Sequence, residues 1–187
     1  MLKGYGCAGL SNIEAAAINY EMAKRDGSFA LFFLAHTSLG MGVVHALADE
    51  EQKQRWLPPA AKLENFIAFG LTEPGNGSDA TGLQTTATKV EGGWSLNGQK
   101  RWIGNGTIGD LLVWARNAND GNRIQAFYVE KGSKGFVAKK MEGKYSMRAM
   151  QNAEIKLENV FVPDNNKLTH SKDFATGTNK ILEASRL

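Results

Sequence analysis

Two neighbouring glycine-rich stretches carry the side chains that could do chemistry. Residues 71–79 read Leu-Thr-Glu-Pro-Gly-Asn-Gly-Ser-Asp, and residues 97–106 read Asn-Gly-Gln-Lys-Arg-Trp-Ile-Gly-Asn-Gly. Glycines without a Cβ and short polar side chains let the backbone approach a ligand closely. Trp102 adds a large flat ring beside the glycines. Together the two stretches suit a planar, hydrogen-bonding cofactor, although each alone is typical of an ordinary β-turn on the rim of a sheet.

The titratable residues offer other chemistries, which the sequence argues against. Glu73 and Asp79 could act as general bases, but acidic residues in a turn more often cap neighbouring N–H groups, and we predict that role here. His36 and His45 lie in an apolar helical run, where hydrogen-bonded core histidines are expected. Three histidines and one cysteine, far apart in the chain, predict no metal site. The lone Cys7 cannot form an internal disulfide and is expected to pack as a small buried residue.

A third glycine pattern matches the dinucleotide-binding fingerprint without its structural setting. Residues 104–109 fit Gly-x-Gly-x-x-Gly, and Glu130 follows about 20 residues later, as that fingerprint asks. The mechanism requires a helix after the glycines, whose N-terminus holds the pyrophosphate. Residues 110–115 are instead an apolar β-type run, Asp-Leu-Leu-Val-Trp-Ala. A Rossmann domain is therefore not predicted.

Length and composition indicate an ordinary globular chain of 187 residues with a net charge of +3. The basic residues are scattered, so no nucleic-acid interface is predicted. Residues 28–48 contain no Asp, Glu, Lys or Arg. That run nevertheless carries His, Ser, Thr and Gly, which makes it too polar for a span of about 20 apolar residues. We predict a buried helix or two short helices there, with no membrane span.

The elements that position the two stretches begin with a helical segment over residues 1–63. Ser11 and Glu14 have the spacing of a capping box ahead of a helix that runs to Lys24. Ser28 is expected to cap the apolar helix or helices that follow. Acidic residues 49–51 start another helix, which the Pro58-Pro59 pair is expected to end after Leu57.

Residues 64–163 are predicted to form a β domain. Asn97-Gly98 is the strongest short hairpin signal, so residues 94–96 and 100–103 are expected to pair with each other. Closely spaced strands without intervening helices favour an antiparallel sandwich or barrel. Residues 164–187 are a linker followed by a helix from about Phe174 to Arg186. The predicted fold class is α+β, and the other predicted strands are 65–71, 84–91, 111–116, 124–130, 136–141, 154–157 and 161–162.

Three motifs in a fixed order resemble those of one flavoenzyme family. Residues 69–79 read Phe-Gly-Leu-Thr-Glu-Pro-Gly-Asn-Gly-Ser-Asp, residues 97–105 follow Asn-Gly-x-Lys-x-Trp-Ile-x-Asn, and residues 159–163 read Asn-Val-Phe-Val-Pro. Their order and spacing resemble the acyl-CoA dehydrogenase and acyl-CoA oxidase family over nearly the whole chain. The chain looks most like the short-chain acyl-CoA oxidase of plant peroxisomes, with glutaryl-CoA dehydrogenase next. Compared with that family, it looks truncated at both ends.

The resemblance implies FAD as the cofactor and assigns roles to individual residues. It implies that Leu71 and Thr72 hydrogen-bond the flavin ring, and that Trp102 packs against the isoalloxazine. Two departures weaken the match, since the family commonly has Tyr at position 69 and Thr at position 104. The implied cofactor-binding residues are Phe69, Leu71, Thr72, Gly77, Ser78, Trp102, Ile103 and Gly104. The implied substrate-binding residues are Ser78, Glu183 and Arg186.

The reaction that the resemblance implies is α,β-dehydrogenation of an acyl-CoA thioester to a 2-enoyl-CoA. A carboxylate removes the α-proton while the β-hydrogen leaves as hydride to the flavin. The family's base is a Glu in a C-terminal helical bundle, expected beyond Leu187, so no catalytic residue is assigned. A flavin- or acyl-CoA-binding remnant without catalysis, or a structural β domain, remain the alternatives.

Partners and location also follow from the resemblance. Family members form homo-oligomers, typically tetramers, and pass electrons to oxygen or to an electron-transfer flavoprotein. A peroxisome is expected from the likeness to a peroxisomal oxidase, with the mitochondrial matrix or cytoplasm as alternatives. The C-terminal Ser185-Arg186-Leu187 differs by one residue from the Ser-Lys-Leu peroxisomal address, although a helix end could leave this tripeptide by accident.

Overall fold

The structure, a computed structural model, describes residues 2–179 and Leu182. Helices precede a large sheet, so the predicted α+β class is confirmed. The helices are α1 (Asn12–Arg25), α2 (Gly27–Leu34), a π-helical segment (Ala35–Met41), α3 (Gly42–Leu47) and α4 (Glu50–Ala61). The strands are β1 (Lys3–Gly4), β2 (Cys7–Ala8), β3 (Ile67–Gly70), β4 (Thr86–Val90), β5 (Gly93–Ile103), β6 (Asp110–Asn117), β7 (Arg123–Val129), β8 (Phe136–Lys140) and β9 (Ala153–Pro163).

The first helix starts where the capping box predicts. The Ser11 hydroxyl accepts from the Glu14 N–H at 3.3 Å, and the Ser11 N–H donates to the Glu14 carboxylate at 2.7 Å. The predicted cap of the next helix is wrong, because Asp26 takes that position rather than Ser28. The Asp26 carboxylate accepts from the amides of Ser28 and Phe29 at 2.7 and 3.1 Å. One carboxylate thereby satisfies two amides at the start of α2 that have no partner within the helix.

Gly27–Leu47 is one apolar helical run, long and apolar enough to cross a membrane by length and composition alone. In this fold it packs on strand β3, where Gly40 lies so close to Ile67 that a Cβ would overlap the Ile67 carbonyl. His36 is fully buried in the same contact. The Ile67 N–H donates to His36 Nδ1 at 3.2 Å, and His36 Nε2 lies 3.0 Å from the Ala60 carbonyl oxygen. His36 is therefore a hydrogen-bonded core histidine, as expected, and burial lowers its pKa.

Helix α4 runs through the two prolines that were expected to end it. It continues to Ala61, with Pro58 and Pro59 inside its last turns. Proline costs a helix one backbone hydrogen bond, but its fixed φ is compatible with the helix. Trp56, Leu57 and Ala60 are buried, so packing holds the turn in place. The proline carbonyls still accept hydrogen bonds, from the N–H groups of residues 62 and 64.

The seven-stranded sheet has the order β3-β6-β4-β5-β9-β8, and β7 pairs with β6. The prediction of an antiparallel sheet needs one correction, because β3 and β4 both run parallel to β6. These two strands pair with opposite ends of the same strand, β3 with residues 110–113 and β4 with residues 116–117. Residues 71–85 connect these two strands and include the first glycine-rich stretch.

The hairpin predicted at Asn97-Gly98 does not form. Strand β5 runs continuously from Gly93 to Ile103, with an irregularity at these residues, and pairs along its length with β9. Asn97 and Asn159 bridge the two strands, since the Asn159 N–H donates to the Asn97 amide oxygen at 2.8 Å. Strand β9 likewise joins the two short strands predicted at 154–157 and 161–162. A long partner strand thus replaces the local turn.

The sheet is buried on both faces at its centre, which explains why β6 and β7 are mostly apolar. One cluster lies between the helices and the sheet and includes Trp56, Leu57, Trp114, Tyr128 and Leu168. The other lies on the opposite face and includes Leu96, Ile103, Val113, Phe127 and Ile155. Of the predicted C-terminal helix, the structure describes a π-helical turn at Ala175–Asn179 and Leu182. The rest of that prediction lies outside the described residues.

Candidate functional site

The first glycine-rich turn is held by its own backbone. The Glu73 N–H donates to the Asn76 carbonyl at 3.1 Å, and the Asn76 N–H donates to the Glu73 carbonyl at 3.2 Å. Asp79 accepts from the Gly82 N–H at 3.0 Å and from the Thr81 hydroxyl at 2.9 Å. Asp79 therefore caps a neighbouring turn, as predicted.

The contacts of the Glu73 side chain are those of a structural residue and not those of a catalytic base. Its buried carboxylate accepts from the N–H groups of Gln84 and Thr85, at 2.6 and 3.0 Å, and from the Thr85 hydroxyl at 2.5 Å. Burial alone would raise the pKa of Glu73, but the charge of Lys100 and these hydrogen bonds together lower it. The carboxylate stays ionised with its oxygens engaged, so the predicted capping role is confirmed.

Lys100 is the residue that sequence reasoning missed. Its ammonium is buried and donates to Glu73 at 2.8 Å, to the Leu71 carbonyl at 3.2 Å and to the Trp114 carbonyl at 2.8 Å. Burial lowers the pKa of Lys100 to about 8, while Glu73 opposes that shift. Along β5, Lys100 lies an even number of residues from the buried Trp94 and Leu96, which places the three on one face of an ideal strand. A charged residue at an inward-facing position was therefore the available signal.

The Glu73–Lys100 pair joins the two glycine-rich stretches. The Lys100 ammonium donates to the carbonyl of Leu71, the residue that follows β3. Arg101, the residue after Lys100, donates its N–H to the Thr72 carbonyl at 2.9 Å. All three ammonium protons have acceptors. The backbone of the first turn is therefore fixed directly to the strand that carries Trp102.

Trp102 has an unusual backbone conformation for a bulky side chain. Its φ is 62°, and 54% of its surface is exposed. Pairing of β5 with β9 passes from Lys100↔Ile155 to Ile103↔Ala153, so two residues oppose the single Glu154. This is a β-bulge, a feature that re-aims side chains and is common beside active sites. A non-glycine residue in the left-handed region costs of order 1–3 kcal/mol, so contacts around Trp102 must hold it there.

The other predicted cofactor residues divide into exposed and packed groups. Gly77 and Ser78 are exposed, Thr72 is partly exposed, and a Cβ added at Gly77 would meet no heavy atom within 4 Å. Ile103 is buried, and Phe69 packs edge-on against Trp114 with 6.0 Å between ring centroids.

Gly104, where the family commonly has Thr, lies against a neighbouring side chain. A Cβ at that position would overlap the methyl group of Met150, which is itself buried. Met150 therefore fills the space that a side chain at position 104 would occupy. The predicted substrate residues Glu183 and Arg186 lie outside the described residues.

The rest of the described chain shows no competing metal centre. No group of three His, Cys, Asp or Glu side chains among the described residues could hold a metal ion. Two cavities lie beside Arg55 of α4, and no residue of the two glycine-rich stretches lines either of them. The surface around Trp102 and the first turn remains the best-supported candidate for a ligand site.

The fold and this surface match a known family. The acyl-CoA dehydrogenase N-terminal domain matches residues 1–64, and the acyl-CoA dehydrogenase middle domain matches residues 68–160. The chain belongs to the acyl-CoA dehydrogenase family, whose members are oxidoreductases.

Individual relatives resemble the chain over nearly its whole length. The mitochondrial isovaleryl-CoA dehydrogenase of Solanum tuberosum is 36% identical over 167 residues, which cover 88% of this chain and 40% of that protein. A glutaryl-CoA dehydrogenase from Mycobacterium smegmatis, solved in complex with FADH2, is 34% identical with a TM-score of 0.93, covering 99% of this chain and 47% of that one. A chain in the structure of the electron transferring flavoprotein of Acidaminococcus fermentans is 34% identical with a TM-score of 0.89, covering 97% and 49%.

The chain thus spans about half the length of these relatives or less. The family resemblance inferred from the three motifs is confirmed. The more specific likeness to a plant peroxisomal acyl-CoA oxidase is not supported, since relatives such as the Solanum tuberosum and Mycobacterium smegmatis proteins are mitochondrial and bacterial dehydrogenases. The expected peroxisomal location loses its support for the same reason.

Proposed function

We propose that this chain is the part of an acyl-CoA dehydrogenase that binds FAD and one side of the acyl-CoA. The observation that carries the proposal is Trp102, an exposed indole held at a φ of 62° in a bulge and tied by Lys100 to the first glycine-rich turn. A flat apolar ring beside exposed backbone suits a planar cofactor that needs both stacking and hydrogen bonds.

The residues present fit a flavin. Thr72 and the backbone of Leu71 would hydrogen-bond the ring system, and Trp102 would pack against it with Ile103 and Gly104 beside it. Gly77 and Ser78 would approach the ribityl-pyrophosphate, because their exposed backbone leaves room for it. Phe69, which packs against Trp114, would help to hold the backbone of the flavin site in place. Ser78 would lie toward the acyl-CoA thioester. The substrate-binding roles of Glu183 and Arg186, which lie outside the described residues, are kept as proposals from the family resemblance alone.

The proposed reaction is α,β-dehydrogenation of an acyl-CoA thioester to a 2-enoyl-CoA. When bound, FAD supplies the hydride acceptor. The two carboxylates of the first turn are poor candidates for the base, because Glu73 is paired with Lys100 and Asp79 caps the next turn. We place the base outside the described residues, which agrees with the chain spanning about half the length of its relatives.

Several finer features of the whole protein are also proposals. The relatives support a dehydrogenase over an oxidase, and the mitochondrial matrix over the peroxisome where the source is eukaryotic. Electron transfer to an electron-transfer flavoprotein fits a dehydrogenase better than transfer to oxygen does. We keep a homo-oligomeric whole protein, and the division into residues 1–63, 64–163 and 164–187, as proposals.

A second candidate function has one observation in its favour. Neither turn carboxylate is free to act as a base. The chain on its own would then bind flavin or acyl-CoA without turnover. A yellow, flavin-loaded chain that does not oxidise any acyl-CoA would support this reading, whereas turnover by the 187-residue chain would contradict it.

The cofactor assignment can be tested by FAD titration in a version of the protein extended to full family length. We expect Thr72→Val and Trp102→Ala each to weaken FAD binding. The first removes a hydrogen bond worth about 1 kcal/mol net, and the second removes a large stacking face. Thr88→Val and Phe161→Ala, at exposed positions on β4 and β9, are the matched controls. Unchanged FAD affinity in both site variants would reject the assignment.

A further inference from the structure

The bulge at Trp102 rests on a loop that no motif singles out. Residues 141–152 connect β8 to β9, and we call them the supporting loop. The Asn152 side-chain amide donates to the Trp102 carbonyl at 3.1 Å. Trp102 has a φ of 62°, so this contact falls at the residue with the left-handed backbone itself.

Lys144 organises the loop around that contact. Its ammonium donates to the Asn152 side-chain oxygen at 2.6 Å and to the carbonyls of Met147 and Met150, both at 2.7 Å. None of these three acceptors is a carboxylate. The ammonium therefore uses its three protons on the loop alone, and it fixes which side of the Asn152 amide faces Trp102.

Two further contacts show that the loop underlies the whole turn after Trp102. The methyl group of Met150 occupies the space beside Gly104. The Thr107 hydroxyl donates to the Gln151 side-chain oxygen at 2.7 Å. Residues 102, 104 and 107 thus each contact one of the three consecutive loop residues 150–152.

Since a left-handed tryptophan is unfavourable by itself, something must hold it. We propose that Lys144 and Asn152 are positioning residues that hold Trp102 in the conformation that packs against the flavin. Lys144 orients the Asn152 amide, and Asn152 fixes the Trp102 carbonyl. This inference rests on the proposed function for its ligand, but the positioning itself is a property of this chain.

A loop that merely folds well would make the same contacts, so the test must separate positioning from stability. Asn152→Asp does this. The new carboxylate still accepts from Lys144 and keeps the loop closed, but it has no N–H for the Trp102 carbonyl. Asn152→Ala removes both contacts, Lys144→Met removes the clamp, and Lys139→Met on the exposed edge strand β8 is the lysine control.

The indole can be followed without any cofactor. Trp56, Trp94 and Trp114 are at most 8% exposed, whereas Trp102 is 54% exposed. The fluorescence that iodide quenches therefore comes from Trp102, and its time-resolved anisotropy reports how firmly the indole is held. The second measurement is FAD affinity in the protein extended to family length, with the melting temperature as the control for folding.

We expect Asn152→Asp to melt near the wild-type temperature, yet to show faster depolarisation of the quenchable component and FAD binding weaker by about fivefold, the loss of one net hydrogen bond. Asn152→Ala and Lys144→Met should show the same changes with a lower melting temperature, and Lys139→Met none. Wild-type anisotropy in Asn152→Asp would overturn the positioning role. Changed anisotropy with no FAD binding by any variant, wild type included, would keep the positioning role and reject the proposed function instead.

Discussion

At the scale of single residues, the buried Glu73–Lys100 pair does what neither residue could do alone. Each charge would be costly in the core, but together they satisfy two carbonyls, two backbone amides and one hydroxyl. Buried ion pairs add little net stability compared with apolar residues, yet breaking one leaves an uncompensated charge. The pair therefore sets the geometry of the two stretches more than it stabilises the fold.

We predict that the effects of the Glu73 and Lys100 substitutions on the free energy of unfolding are strongly non-additive. Lys100→Met should destabilise the chain by about 3–5 kcal/mol, because it leaves the Glu73 carboxylate buried without a cation. Adding Glu73→Gln to that variant should recover part of the loss, since the amide carries no charge. Urea denaturation of the two single variants, the double variant and the exposed control Lys139→Met measures the coupling. Additive single effects would show that the two groups do not depend on each other.

At the scale of elements, the π-helical segment places the apolar run on the sheet. Gly40 meets the Ile67 backbone and His36 hydrogen-bonds both α4 and β3. The segment thereby joins α4 to β3, the strand that leads into the first glycine-rich turn. A contact made by backbone atoms cannot give way as a flexible side chain can.

Two glycines in this run should respond oppositely to alanine. At Gly40 a Cβ would overlap the Ile67 carbonyl, so Gly40→Ala should cost about 1–3 kcal/mol through overpacking. At Gly42 the nearest atom to a Cβ is 3.8 Å away and φ is −59°, so Gly42→Ala should stabilise by about 0.5–1 kcal/mol. Thermal and urea denaturation of the matched pair checks the sign of each effect. Destabilisation of equal size in both would show that the close approach to β3 is not what requires Gly40.

At the scale of the whole molecule, the N-terminal helix is poorly covered. Helix α1 has no buried residue, and its side chains Ile13 and Tyr20 are 82% and 66% exposed. Phe29 of α2 is 54% exposed. Clustered exposed apolar side chains favour association. This agrees with a chain that spans about half the length of its relatives.

We therefore expect the 187-residue chain to self-associate in solution. Replacing Ile13 with Lys and Tyr20 with Glu should reduce association with little change in the free energy of unfolding, because α1 buries neither side chain. The same pair of charges at Val137 and Phe161, two exposed apolar side chains of the sheet, serves as the control. Sedimentation velocity over a range of concentrations makes the measurement. A wild-type chain that stays monomeric throughout that range would contradict the prediction.

Local chemistry was readable from the sequence where both partners lie close together in the chain. Ser11 and Glu14 are three residues apart and form the predicted capping box. Glu73 and Asp79 cap N–H groups, as residues of their type in turns usually do. The order of three short motifs was enough to identify the family.

The tertiary structure alone decided the features whose partners are distant in sequence. Asn97-Gly98 continues a strand because β9, about sixty residues later, offers a longer ladder than a local turn does. Pro58 and Pro59 stay helical because the core beneath Trp56 and Leu57 holds them. Lys100 is buried because Glu73, the Leu71 carbonyl just after β3 and the Trp114 carbonyl of β6 surround its ammonium. Such outcomes depend on the sum of contacts made after the chain has folded, and no window of neighbouring residues contains that sum.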